Sequence, residues 1–193
     1  MIIIVLPDLA EEDSLLKRAR RGDDDAIRLI YEQYFPPIYQ FIRMRVDEIE
    51  IAEDITSEVF LKLVAALRGK NAPKHSLRGW LFRVARNILF DHYGRERRFT
   101  QTILEEWVAM PAETGPELQF IREMDNERCR KAIQELPLSQ QEVVILRFSQ
   151  SLSLQETADI MGRNTNTIKQ LQFRAVNNLR RILGAKRTEH NDQ

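Results

Sequence analysis

The sequence predicts an all-α protein: two small helical domains joined by an acidic linker. Three observations point there. Apolar residues recur at three- and four-residue spacing through most of the 193 positions. No alternation of β-branched residues survives over five positions, so no strand is expected. Gly and Pro number only seven each and gather where helices would stop or start. A hydrophobic share of 43% and a charged share of 30% fit a helix-rich globular chain.

The elements follow in order. Leu15 to Tyr34 carries Leu15, Leu16, Ala19, Ala26, Ile27, Leu29 and Ile30 at helical spacing, with a break and restart at Gly22-Asp23. Pro36-Pro37 is expected to end this helix and leave Ile38 to Val46 as a separate short one. Ile51 to Leu67 has a stripe at Ile55, Val59, Leu63 and Leu67. Gly69 to Ser76 reads as a loop, and Trp80 to Arg97 as a helix. The stretch around Met110 to Pro116, with two Pro and one Gly, reads as linker. Leu118 to Leu136 is helical and stops at Pro137.

The last third has the clearest punctuation. Ser139-Gln140-Gln141-Glu142 has the form of a capping box, with Leu138 and Val143 placed as a hydrophobic staple. Ser153-Leu154-Gln155-Glu156 repeats the box. That helix stops at Gly162, a natural left-handed cap, and Asn164 or Thr165 starts a helix running to about Leu183. A short helix, a tight turn and a long basic helix make a helix-turn-helix.

Composition excludes several function classes. One cysteine, Cys129, leaves no intrachain disulfide and no paired-Cys zinc site. His75, His92 and His190 are scattered, so no metal site is expected. There is no glycine-rich phosphate loop, no zinc-protease helix motif and no nucleophile elbow. His92 shares its azimuth with Leu81, Ala85 and Ile88, which suits a core or boundary position better than a general base. An enzyme is not expected, nor any cofactor. No apolar run reaches the length of a membrane span, and Ile2 to Leu6 is too short and lacks the basic flank of a signal peptide. The expectation is a reduced, cytoplasmic protein without membrane insertion.

The formal net charge of zero conceals segregation. Val46 to Leu61 holds six acids and no base; Arg68 to Arg98 holds nine bases against two acids. Phe99 to Glu127 holds seven acids and one Arg, and Arg163 to Arg187 holds seven bases and no acid. Two basic blocks, each preceded by acidic sequence, point to two polyanion-facing surfaces. Solvated helix faces are the plainer alternative.

Three helix faces carry candidate sites. On Trp80 to Arg97, Leu81, Val84, Ala85, Ile88 and Leu89 fall on one side; Arg83, Arg86, Asn87, Phe90 and Tyr93 fall on the other. Guanidinium for phosphate, π-faces for stacking and an amide for base edges suit single-stranded nucleic acid. Phe90 and Tyr93 packing on a neighbouring helix is the competing reading. On Ile51 to Leu67, Asp54, Ser57, Glu58 and Leu61 lie opposite the apolar stripe, either as a solvated face or as a docking surface for a basic partner. In the final helix, Ile168, Leu171, Ala175, Leu179 and Ile182 form the buried seam. Thr165, Asn166, Lys169, Gln170 and Arg174 point elsewhere, near the end of a helix that enters a major groove.

These residues resemble the extracytoplasmic-function (ECF) group of bacterial RNA polymerase sigma factors, in the sigma-70 family. Leu15-Leu16-Lys17-Arg18-Ala19-Arg20-Arg21-Gly22-Asp23, with Ala26, Tyr31, Tyr34 and Tyr39, is similar to the opening of sigma region two. Ala52-Glu53-Asp54-Ile55-Thr56-Ser57-Glu58-Val59-Phe60-Leu61-Lys62-Leu63 resembles its core-polymerase-binding signature. Trp80-Leu81-Phe82-Arg83-Val84-Ala85-Arg86-Asn87, with Asp91, resembles its promoter-melting and −10-reading helix, and Leu136-Pro137 through Leu183 resembles region four, which reads the −35 element.

The resemblance implies region two over 10–98, an acidic linker over 99–129, region four over 130–184 and a tail over 185–193. It implies that Asp54, Ser57, Glu58 and Leu61 meet the clamp helices of the largest polymerase subunit, with region four on the flap. It assigns Arg78, Trp80, Arg83, Arg86, Asn87, Phe90, Tyr93 and Arg97 to −10 DNA, and Thr165, Asn166, Thr167, Lys169, Gln170 and Arg174 to −35 DNA. Promoter DNA, duplex and single-stranded, is the implied ligand, and an anti-sigma factor is a further implied partner. Two departures stand out: Leu171 occupies a position where the family usually has Arg, and Gln172 one where it has a buried Leu. Leu171 is expected to take over the seam. Two rival readings remain: a stand-alone helix-turn-helix regulator, and a sigma-like adaptor that does not read DNA.

Overall fold

The computed structural model describes residues 6–69, 72–73, 76–96 and 126–189. Eight helices lie within them: α1 (Leu9–Ala19), α2 (Asp24–Arg43), α3 (Ile49–Arg68), α4 (Leu77–Glu96), α5 (Asn126–Gln134), α6 (Leu138–Val144), α7 (Leu154–Met161) and α8 (Thr165–Glu189). A π-helical turn, Ile145–Ser149, continues α6. No strand occurs among the described residues. Most of the acidic linker, and Arg97, lie outside them.

Local chemistry sets the first boundaries. Asp8 caps α1, its carboxylate accepting from the amides of Ala10 at 2.8 Å and Glu11 at 2.9 Å. Gly22 takes φ +84°, a conformation glycine adopts without strain, and Asp23 then caps α2 at the Ala26 amide. The expected stop at Pro36-Pro37 is wrong: α2 runs through both prolines to Arg43. Two proline nitrogens remove two helix bonds, at a cost of about 3 kcal/mol or more. Burial offsets this, because Ile30, Tyr34, Ile38, Phe41 and Ile42 form one fully buried stripe that a break at Pro36 would divide. The stripe of α3, Ile55, Val59, Leu63 and Leu67, is buried as its spacing predicts.

The start of α4 depends on a residue 65 positions earlier. Glu12 of α1 is 2% exposed, and one carboxylate oxygen accepts from the amides of Leu77 at 2.7 Å and Arg78 at 3.3 Å. Its other oxygen accepts from the Tyr34 hydroxyl at 2.6 Å and Arg78 Nε at 2.7 Å. Ser76 completes the cap, with Oγ accepting from the Gly79 amide at 3.0 Å and its carbonyl from Trp80 at 3.1 Å. All four leading amides of α4 are thereby satisfied. A Cβ at position 79 would sit 3.0 Å from that capping hydroxyl, so glycine suits the close approach.

In the C-terminal part, Cys129, Ala132 and Ile133 bury one side of α5. The expected capping box at Ser139 is not formed. Helix α6 begins at Leu138 behind Pro137, whose φ of −55° already matches a helix and whose carbonyl takes the Gln140 and Gln141 amides. Glu142 is thus released for a partner elsewhere. The box at Ser153 and Glu156 is present, and Gly162 ends α7 in the left-handed conformation at φ 65°, ψ 38°. Asn164 caps α8, accepting from the Thr167 amide at 2.8 Å. Ile168, Leu171, Ala175, Val176, Leu179 and Leu183 line its buried side, so Leu171 does take the seam. Buried apolar residues of both halves form one cluster, with α4 against α7 and α2 against the π-turn.

Removing the Glu12 carboxylate (Glu12→Ala) takes the nearest anion from the buried Arg78 guanidinium, leaving it the Pro7 carbonyl and Glu156 at 3.5 Å, and strips two helix-end amides of their acceptor. Urea unfolding of the full chain should show a loss of about 3–5 kcal/mol. Leu171→Ala should cost about 2–5 kcal/mol in the same assay through the cavity it leaves. A loss below 1 kcal/mol would mean that position 171 does not serve as seam.

Candidate polymerase and nucleic-acid interfaces

Three surfaces carry the residues singled out by the sequence. The first is the outer side of α3. Asp54, Ser57 and Glu58 are exposed there, and Leu61 is 70% exposed, all opposite the buried stripe. Lys62 pairs with Glu58 at 3.3 Å, an exposed contact of little energetic weight. Sequence reasoning missed the aromatic ground beside this face. Tyr31 is 44% exposed, and its ring lies 5.2 Å from Phe35 and 4.9 Å from Phe60 between centroids. The available signal was Tyr31, Phe35 and Tyr39 at four-residue spacing, which places them on one helix side.

The second surface is on α4, and here the structure divides the candidates. Asn87 and Arg83 are exposed; Trp80 and Phe90 are half-buried. Arg86 lies over the Phe90 ring at 4.6 Å and pairs with the buried Glu142 of α6 at 2.7 Å, at angles that do not make a hydrogen bond. Arg86, Asn87, Phe90 and Asp91 line an open depression of about 450 Å³. Arg83 donates to the Asp159 carbonyl of α7 at 3.3 Å.

Two side chains do not present themselves as their expected place on the −10 surface implied. Arg78 is buried, bound to Glu12 and 3.5 Å from Glu156 of α7. Burial pushes its guanidinium down, but the bonds to Glu12 win and hold it above the ordinary range. Tyr93 turns inward, its hydroxyl donating to the Arg45 carbonyl. Phe82, given to neither side of the wheel, is fully buried against Phe41 at 5.2 Å. His92 is half-buried at the boundary, with its ring 5.8 Å from Tyr93. Arg97 lies outside the described residues.

The third surface is the first turns of α8. Asn166 and Lys169 are exposed, and Thr165, Thr167, Gln170 and Arg174 are half-buried. The Thr167 hydroxyl is turned to Asn164 at 3.0 Å, so it helps hold the helix start. Gln172, in place of a buried Leu, accepts from Arg147 Nε at 3.1 Å. Among the described residues no group of His, Cys, Asp and Glu could hold a metal ion, and no helix is long and apolar enough to cross a membrane.

Comparison with known proteins gives two family matches in the same order along the chain: Sigma-70 region 2 over residues 30–99 and Sigma-70 region 4 over residues 132–181. The chain is 38% identical over 177 residues to the ECF RNA polymerase sigma factor BldN of Streptomyces coelicolor, covering 91% of this chain and 67% of the relative. It is 30% identical to the ECF RNA polymerase sigma factor SigD of Mycobacterium tuberculosis, covering 87% and 82%. Among solved structures, the sigma factor RpoE of Bartonella quintana in complex with the anti-sigma factor NepR aligns at a TM-score of 0.62 and 25% identity, covering 81% of this chain and 96% of that one. CnrH in complex with the cytosolic domain of CnrY shares the fold at a TM-score of 0.66 and 21% identity, covering 90% and 97%. With region 2 and region 4 in sequence and close relatives along nearly the whole chain, this protein belongs to the ECF sigma factors of the sigma-70 family.

Proposed function

We propose a residue-level division of labour for this sigma factor in promoter-specific initiation with core RNA polymerase. Region two spans 10–98, the acidic linker 99–129, region four 130–184 and the tail 185–193. Asp54, Ser57, Glu58 and Leu61 dock on the clamp helices of the largest subunit. Arg83, Arg86, Asn87 and Phe90 take the −10 strand, with Trp80 beside them. Asn166, Lys169 and Gln170 reach −35 base edges, and Arg174 holds phosphate. The observation that carries this reading is the pairing of two outward faces on one chain: acidic and apolar on α3, cationic and amide-bearing on the first turns of α8.

The depression beside Arg86 and Phe90 has the size of a small-ligand cleft and supports capture of an unstacked base. Arg78 and Tyr93 support this surface from within; their role is to position α4. The protein is not an enzyme and works in the cytoplasm, as its role on polymerase requires. By analogy with the Bartonella relative, an anti-sigma factor is a further partner. Run-off transcription with purified core polymerase on promoter DNA tests the whole reading: a stand-alone regulator or an adaptor would not give specific initiation.

Asp54→Lys with Glu58→Lys should abolish capture by core polymerase while the melting curve stays within a few degrees. Both side chains lie off the core; the double reversal keeps a like-charged pair at i,i+4 and trades the Glu58–Lys62 pair for a repulsion, a change of about 1 kcal/mol at most. Normal capture with a native melt would show the face to be merely solvated.

Lys169→Ala and Gln170→Ala should each lose about 1–3 kcal/mol and relax preference at one or two −35 base pairs. Arg174→Ala should weaken all promoters alike and lower the salt slope by about one unit. Holoenzyme binding to a −35 substitution library at two salt concentrations separates these outcomes. The assignment fails if Arg174→Ala is the variant that changes the preferred sequence.

A further inference from the structure

A polar residue sits in the middle of the apolar seam of α8. Gln172, half-buried itself, lies one turn beyond Ile168 and one turn before Val176, both fully buried. Leu171, Ala175 and Leu179 belong to the same buried side. An amide among such neighbours is costly unless it is matched. Here its Oε1 accepts from Arg147 Nε at 3.1 Å, and Arg147 stands in the π-helical turn Ile145–Ser149.

Arg147 makes a second bond. Its Nη1 donates to the carbonyl of Leu152, in the segment that leads into α7. Backbone bonds fix that segment: the Gln150 amide donates to the Ile145 carbonyl and the Leu152 amide to the Leu146 carbonyl, each at 3.0 Å. The guanidinium is half-buried; burial pushes it down, and Glu156 pulls the other way. One planar group with two acceptors therefore ties three parts of the helix-turn-helix together: the π-turn, the entry to α7 and α8.

Apolar contacts hold α8 against its neighbours but allow it a small turn about its own axis. A hydrogen bond has a length and a direction, and resists that turn. A leucine at position 172 would fill the seam without supplying a direction. Lys169 and Gln170 precede Gln172 within a single turn of one continuous helix, so any rotation at Gln172 carries them with it. Asn178, donating to Gln140 of α6 at 2.8 Å, is a second tie further from the reading end.

We propose that Gln172 and Arg147 are positioning residues for −35 recognition, their hydrogen bond setting the rotation at which α8 presents Lys169 and Gln170 to the base edges. The inference rests on the assignment of those two side chains to −35 DNA.

The test scores holoenzyme on the −35 substitution library, as the ratio of affinity for the preferred element to affinity for substituted ones. Gln172→Leu keeps the seam filled, so the free chain should melt within a few degrees of the parent. Its ratio should nevertheless fall about tenfold, the size of one lost base contact. Gln172→Glu retains an acceptor for Arg147 Nε and should restore most of the ratio. Arg147→Lys keeps the charge, but a single ammonium cannot span both acceptors, so the ratio should fall as it does in Gln172→Leu. Added to Gln172→Leu, Arg147→Lys should lower it no further, because the bond is already gone.

An unchanged ratio in Gln172→Leu with a native melt would overturn the proposal, as would additive losses from the two variants. If Gln172→Leu melts early, Arg147→Lys decides alone, and an unchanged ratio there overturns the proposal. A loss of affinity equal on every element would make Arg147 a phosphate contact and overturn it as well. Lys169→Ala and Gln170→Ala examine the −35 assignment separately. An unchanged preference in both removes that assignment and the positioning role with it. An altered preference there, with no effect at Gln172 or Arg147, removes only the positioning role.

Discussion

A single buried carboxylate holds the N-terminal helices in register. Glu12 accepts from a tyrosine of α2, an arginine of α4 and two leading amides of α4. An ionised carboxylate in this position would be prohibitive without such partners. With them it fixes where α4 starts and how it lies against α1 and α2. Burial and the bond to Glu12 also push the Tyr34 hydroxyl well above its ordinary range, so it remains a donor at any physiological pH. Trp80, Arg83, Arg86, Asn87 and Phe90, proposed above for the −10 strand, are all carried on the helix that this carboxylate positions.

Helix α4 has obligations on two sides. Leu77, Leu81, Phe82, Ala85 and Leu89 face the N-terminal core, while Arg83 and Arg86 meet the C-terminal helices. That explains why its apolar and polar residues do not separate cleanly around the axis: a helix buried on one side and half-covered on another needs no single wide apolar face. The charge segregation of the sequence has a counterpart here. Basic α4 is matched by carboxylates from α6 and α7, and Arg130 of α5 bonds Asp47 at 2.9 Å before α3. The bond from Arg130 holds the Asp47 carboxyl below its usual range. These are contacts of the kind a polyanion can replace, unlike the Leu and Phe packing beneath them.

Much of this was legible in the sequence because it is local. The helix stripes, the box at Ser153 and Glu156, the left-handed Gly162 and the turn before α8 each depend on residues within a few positions of one another. The outer face of α3 and the seam through Leu171 follow from helical spacing alone. So did the family, because two motif-bearing halves occur in a fixed order. The tertiary structure decided the rest. Pro36-Pro37 does not end α2, because a buried stripe from Ile30 to Ile42 outweighs two missing amide bonds. Glu142 does not close a capping box, because Pro137 starts the helix and Arg86 takes the carboxylate. Arg78 does not face solvent, because its partner lies 66 positions away on α1. Periodicity reports which side of a helix is apolar. It carries no record of which distant charge will meet that helix, and such meetings determine which of the α4 arginines are engaged within the chain.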